Sequence, residues 1–327
     1  MGRRNVAGRV LIVGTRGSSL ALEQARRVMA GLAGASELKI VHTSGDRFAE
    51  RPLGETNPPG FFTKEIEEEL LSGKIDLAVH SLKDLPTELA PGLAFAALMK
   101  RDDPADLLLV RPEALDPDAD FPLKPGAEVG ASSRRRGALL HLVRPDVLVR
   151  PIRGNVPTRV DKVRAGDCDA VVLSRAGLER LGLAVDPLHA FELNPLHWPG
   201  APGQAIIAVE ARADDAEALR RASALNDALT VECAAAERSL LAVYGGGCHA
   251  PFGAYCEMDA GGGMMVVAAP GGDGFLIERF MGGDLEEARA AAEAWIRSGR
   301  AQRESAPSSR LGNPSQVWLC RRARPWR

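Results

Sequence analysis

"VLIVGTRGSSLALEQARRVMAGLAG", residues 10–34, decides the fold. The apolar run Val10 to Val13 is uninterrupted, as in a strand buried on both faces. A Gly/Ser turn follows, and then Leu22, Ala25, Met29 and Leu32 recur at helical spacing. Strand, tight turn and amphipathic helix in that order make the repeating unit of an α/β fold.

The pattern continues with an alternating strand "LKIVHT" (38–43), a helix over 63–74 stopped near Gly73, and a short strand "DLAV" (76–79). After "KRDDPAD" it restarts. Strands at "AEVGAS", "VLVRPI" and "DAVVLS" alternate with helices at "RRRGALLHLV", Pro157 to Ala165 and "AGLERLG", which predicts a second α/β domain. The Pro/Gly-rich stretch 194–204 leads to "AIIAVE" (205–210), a strand placed to return the chain to the first sheet. A long helical region is expected over 214–244. Strands at "FGAYCEM", "MMVVAAP" and "GFLIERFM", then a helix over 284–299, predict a small α+β third domain. The basic, Ser/Pro-rich remainder from Ala301 is expected to be flexible. The resulting limits are 1–103 with 204–222 for domain 1, 104–203 for domain 2, 223–300 for domain 3 and 301–327 for the tail.

Composition excludes several classes. The chain has 327 residues, enough for two or three domains, with 45% hydrophobic and 26% charged residues. A net charge of -2 and 5% aromatics give no general attraction to nucleic acid or anionic membrane. Five scattered cysteines without a CxxC pair predict no metal site and a reducing cytoplasm. The N-terminal apolar run is too short for a signal peptide or a membrane span.

Local charge is a different matter. Arg134, Arg135, Arg136, Arg144, Arg150, Arg153 and Arg159 face only Asp146 between residues 134 and 159. Arginine forks match carboxylates in pairs of hydrogen bonds, and predicted strand ends at "SSRRR" and "IRGN" are where α/β folds receive such ligands. A polyanionic small ligand fits this cluster better than a solvated basic face. Arg16 and Ser18 sit at another strand-to-helix turn, where Ser18 serves equally well as a helix cap. "AVHSLKDLP" sets His80, Lys83 and Asp84 at a strand end. "YGGGCHAP" (244–251) holds Cys248 on a glycine-shaped loop, either as a small buried hydrophobe or as a reactive thiol.

Six blocks, "GTRGSSLALEQ", "GFFTKEIEEELLSGKIDLAVHSLKDLP", "GASSRRR", "IRGNVPTRVDKV", "AGLERLGL" and "GGCHAPFGAY", in this order closely resemble the porphobilinogen deaminase (hydroxymethylbilane synthase) family over about residues 8–300. The resemblance implies two periplasmic-binding-protein-like α/β domains around a cleft plus a small α+β C-terminal domain. It implies a transferase of porphyrin and heme biosynthesis that joins four porphobilinogen molecules, with loss of ammonia, on a dipyrromethane cofactor bound by a thioether to Cys248. Carried over residue by residue, Asp84 and Arg16 are catalytic. Lys83, Ser133, Arg135, Arg136, Arg153 and Arg159 hold the cofactor's carboxylates. Arg16, Ser18, Arg153, Arg159 and Arg180 contact substrate, and Arg134 lies on a helix flank. Ala131, Arg175, Ala205 and His249 depart from the family pattern. Ala205 replaces a glycine, so a positive φ there means strain. The partners expected are the small-molecule substrate alone, with no nucleic acid or membrane, in a monomer. The alternative is a two-lobed anion-binding protein of the periplasmic type without catalysis.

Overall fold

A computed structural model describes residues 9–43, 63–247, 250–271, 274–299 and 320–323. The opening stretch forms β1 (Leu11–Thr15) and α1 (Ser19–Gly31), followed by β2 (Ser36–Ile40), α2 (Lys64–Leu71), β3 (Leu77–Ser81) and β4 (Leu93–Leu98). Next come β5 (Asp106–Val110), β6 (Glu128–Gly130), α3 (Arg134–Val143), β7 (Leu148–Arg150) and α4 (Val156–Ala165). They lead to β8 (Ala170–Ser174), α5 (Arg175–Arg180), β9 (His189–Leu193), β10 (Ile207–Arg212), α6 (Ala216–Ala222) and α7 (Ala228–Tyr244). The last elements are β11 (Gly253–Asp259), β12 (Gly262–Gly271), β13 (Gly274–Gly282), α8 (Leu285–Arg297) and β14 (Cys320–Arg322). Two compact units result, one of Met1–Arg101 with Ile206–Val231, the other of Asp102–Ala205 with Glu232–Arg327.

The first unit holds a mixed sheet of order β2-β1-β3-β10-β4. β1 runs parallel to β2 and β3, while β10 is antiparallel to β3 and β4. The "AIIAVE" segment therefore does return to this sheet, as an inner strand. Alternation along β3 sends Leu77 and Val79 to the cluster under α1 and α6, and Ala78 to the cluster under α2. Ile66 and Leu70 of α2 are wholly buried there, each worth roughly 1.5–3 kcal/mol of apolar burial.

The second unit holds a sheet of order β14-β9-β5-β8-β6-β7, parallel across β7, β6 and β8 and antiparallel elsewhere. Leu107 and Leu109 of β5 pack with Val160, Val163 and Leu178 on one face; Leu108 and Val110 pack with Leu139, Leu140 and Trp198 on the other. Ala268 of β12 joins that second cluster. The antiparallel meander β11-β12-β13 buries its own core against α7 and α8 through Leu240, Met265, Ala292 and Ile296.

Three differences from the sequence reading have physical causes. The strands β4, β5 and β9 were not anticipated; β5 is an apolar run hidden behind the charged "RDDPAD" lead. The expected helix over 214–244 is broken. Asn226 accepts a hydrogen bond from the Leu98 N–H at 2.8 Å, and Asp227 caps a new helix by accepting from the Thr230 N–H at 2.9 Å. The tail is not wholly irregular, since Cys320–Arg322 pairs antiparallel with β9. Its other residues, apart from Ala323, lie outside the described ones.

Candidate functional site

In the first unit, β1 and β3 are adjacent and parallel, with Val13 opposite Leu77 and Gly14 opposite Ala78. Their carboxyl ends share one sheet edge, the position where open α/β sheets bind ligands. Arg16 and Ser18 follow β1, and a 3-10 turn over Leu82–Asp84 follows β3. The buried Thr15 hydroxyl donates to the Val79 carbonyl at 3.2 Å, which ties β1 to β3, and Gln24 of α1 donates to the Ser81 hydroxyl at 2.8 Å, which ties the end of β3 to the helix. Ser18 caps α1 by accepting from the Ala21 N–H at 3.3 Å. Lys83 is half-buried beside an exposed Asp84.

In the second unit the carboxyl ends of β6, β7 and β8 carry the arginine motifs. Ser133 caps α3, accepting from the Arg136 N–H at 3.4 Å, and Asn155 caps α4, accepting from the Thr158 N–H at 2.9 Å. Two helix N-termini thus open at one sheet end, a setting that favours anions. Gly154 between β7 and α4 has φ +110°, and a Cβ there would lie 2.7 Å from the Thr158 methyl, so the turn admits only glycine. Arg159 donates from Nε to the Gly154 carbonyl at 2.8 Å, which ties its side chain to the same turn. Arg153 is half-buried, its burial lowers the pKa of the guanidinium, and it meets no carboxylate among the described residues. Arg134 is exposed, as expected of a helix flank.

Arg135 and Arg136 are engaged inside the unit, which sequence reasoning missed. Both grip Asp106, which is wholly buried. Arg136 binds it with two nitrogens at 2.6 and 3.1 Å, Arg135 with one at 2.9 Å, Trp198 Nε1 at 3.1 Å and Gln204 Nε2 at 2.9 Å. Arg135 also donates to the Pro199 carbonyl at 2.8 Å, and its buried Nε has no partner. Burial is the main cause that lowers the Arg135 pKa, with Asp106 opposing. Two guanidiniums against one carboxylate leave net positive charge beneath the start of α3. Two adjacent arginines on a core-facing helix were the available signal that a buried acid must answer them.

Arg180 is buried at the end of α5. It donates to Asp102 at 2.7 Å and to the Ala205 carbonyl at 2.6 Å. Ala205 has φ +69°, alone among the described non-glycine residues in the left-handed region, so the strain expected from replacing a glycine is present. Arg175 is accommodated. Glu179 at 2.7 Å, Asp103 at 3.0 Å and Glu192 surround it, neutralising the charge that the chain introduces there. Cys248 and His249 lie outside the described residues.

A family model described as "Porphobilinogen deaminase, dipyromethane cofactor binding domain" matches residues 11–220. Curated relatives include the porphobilinogen deaminase of Rubrobacter xylanophilus, 46% identical over 275 residues, which cover 82% of this chain and 87% of that one. Those of Syntrophomonas wolfei and Lachnospira eligens are 43% and 41% identical, over 77% and 80% of this chain and 82% and 89% of theirs. Likeness to solved structures is weaker. A Salmonella typhimurium periplasmic binding protein of high arginine specificity has a TM-score of 0.39 at 12% identity, covering 68% of this chain and 94% of that one.

Proposed function

Because the chain belongs to the porphobilinogen deaminase family, we propose that it condenses four porphobilinogen molecules head to tail, releasing ammonia at each step, into the linear tetrapyrrole hydroxymethylbilane. It is a transferase whose cofactor is dipyrromethane. When bound, that group supplies the terminal pyrrole carbon from which the product chain grows.

Each pyrrole of cofactor and product carries an acetate and a propionate, so a fitting site must offer several desolvated cations. The residues present fit. Arg153 is a half-buried guanidinium that no described carboxylate answers, and the Arg135–Arg136–Asp106 cluster retains positive charge with one buried N–H left unmatched. We assign Lys83, Ser133, Arg135, Arg136, Arg153 and Arg159 to the cofactor carboxylates, Arg16, Ser18, Arg153, Arg159 and Arg180 to substrate, and Cys248 to the thioether. The domain limits 1–103 with 204–222, 104–203 and 223–300 belong to the same proposal.

Asp84 carries the chemistry in this reading. Loss of ammonia from the substrate's aminomethyl group develops positive charge on its pyrrole, and a carboxylate held near the ring N–H lowers that barrier electrostatically. The observation that supports it is the exposed Asp84 carboxylate, at the carboxyl end of β3 and without a hydrogen bond to any described residue. Arg16, one residue beyond β1, orients substrate carboxylates at the same edge. The reading includes a cytoplasmic monomer acting on a small molecule; no helix among the described residues is long and apolar enough to cross a membrane.

The test is direct. Purified chain is incubated with porphobilinogen, and both its consumption and the linear tetrapyrrole are followed, alongside the intact mass. Consumption with a mass two pyrrole units above that of the sequence, reverting to the bare value in Cys248→Ser, supports the assignment. A chain that carries the two pyrrole units and consumes no porphobilinogen would overturn it.

A further inference from the structure

Cys233 on α7 and Cys256 on β11 bring their sulfur atoms to 2.9 Å of each other. They are 6% and 3% exposed, within the apolar core of the meander. The proposed chemistry uses neither. One helical turn beyond Cys233, the buried Glu237 carboxylate accepts from the Cys256 N–H at 2.9 Å and from the Gly203 N–H at 2.8 Å. Residues four apart share a helix face, so one face of α7 holds Cys256 by its backbone and meets it at its sulfur. Two hydrogen bonds to Glu237 and burial hold the pair in place, and a disulfide bond of about 2.05 Å needs only about 1 Å of further approach.

We propose that Cys233 and Cys256 form a reversible redox pair, oxidised to a disulfide by hydrogen peroxide, and that this is a modification site separate from Cys248. One sulfur attacks peroxide; an S–O bond forms, the O–O bond breaks, and water leaves a sulfenic acid. The second thiol attacks that sulfur, the S–S bond forms, and the S–O bond breaks, the departing oxygen taking up the thiol's proton as a second water. Two thiols thus lose two electrons and two protons while peroxide is reduced to two waters. A thiol reductant reverses the change. The bond would span a sequence separation of 23 that contains the end of α7, the glycine loop and Cys248, tying together both stems of that loop.

The competing account is that two buried thiols merely pack as small hydrophobes, since isolated buried cysteines are inert. Cys168 separates the two accounts. It is also 6% exposed, burial raises the pKa of its thiol, and it has no second thiol in contact among the described residues.

The proposal does not rest on the deaminase reading. Full-length chain with its cofactor is reduced, desalted, exposed to hydrogen peroxide, denatured with N-ethylmaleimide present, digested without reductant and mapped by mass. The result expected is a peptide pair joined through Cys233 and Cys256, lighter by two hydrogens than the separate peptides. It should be released by dithiothreitol and absent from both Cys256→Ser and Cys233→Ala, with Cys168 recovered as its maleimide adduct. Recovery of Cys233 and Cys256 as maleimide adducts in step with Cys168, or as sulfinic acids without a linked peptide, overturns the proposal. Should either variant fail to fold, the wild-type map alone decides.

Discussion

Ala205 occupies a backbone conformation that costs an L-residue about 1–2 kcal/mol. Glycine removes that strain but gives back part of the gain as unfolded-state entropy. Ala205→Gly is therefore expected to stabilise the chain by about 0.5–1 kcal/mol, seen as a higher urea midpoint at unchanged slope; a lower midpoint would mean that the Arg180 and Asp102 hydrogen bonds to the Ala205 carbonyl have already relieved the strain. Asp84 presents the opposite case, an exposed side chain whose proposed role depends on its charge. Asp84→Asn should cut turnover by roughly 10²–10³-fold with the unfolding midpoint unchanged, and turnover within about threefold of wild type would remove Asp84 from the mechanism. The strain at Ala205 was legible in the sequence, as an alanine after "PGQ" where the family has glycine, and Asp84 was singled out within "HSLKDLP". Asp106 was not. Its partners Arg135, Trp198 and Gln204 lie 29, 92 and 98 positions away, and no local pattern encodes such a meeting.

Helix α3 enters the second sheet with two arginines on its buried side, and Asp106 at the start of β5 makes that possible. Asp106→Ala leaves two buried guanidiniums facing one another and should cost on the order of 3–5 kcal/mol, measured by chemical unfolding; a loss below about 1 kcal/mol would mean that water or an anion takes the carboxylate's place. Helix α2 offers a pH-dependent counterpart. Glu67 is held above the ordinary carboxylate range first by burial; a Thr63 hydrogen bond opposes this, Glu210 reinforces it and His80 opposes it. An acid raised in the folded state gives its stabilising contribution below its unfolded pKa of about 4.3 and loses it as pH rises through the folded value. Glu67→Gln should therefore raise Tm at pH 7–8 and lose that advantage near pH 4; a benefit equal at both ends would mean that charge is not the cause. Elements with a cap and a periodic face, such as α1, α3 and α4, were readable in advance because capping and periodicity are local. The break before α7 was missed because one half of it, the Asn226 bond to Leu98, depends on a strand far off in sequence.

The chain forms two units whose residue ranges alternate along the sequence, with β10 an inner strand of a sheet whose other strands are all complete by Leu98. A fragment of residues 1–101 leaves β4 with no strand to pair with and the inner edge of β3 open. Such a fragment should show no cooperative thermal transition by circular dichroism, whereas the same fragment joined by a short linker to residues 206–231 should recover one; cooperative melting of the shorter piece would show β10 to be dispensable. The same placement governs how the protein is made. At about 5–20 residues per second, roughly 5–20 s of synthesis separate β4 from β10. Throughout that interval the nascent chain presents the apolar β3 edge, with Leu77, Ala78 and Val79, to whatever is near the ribosome. Unpaired edges of this kind recruit other strands. Yield in a cell should then depend on chaperone supply during translation, even where the finished protein is stable.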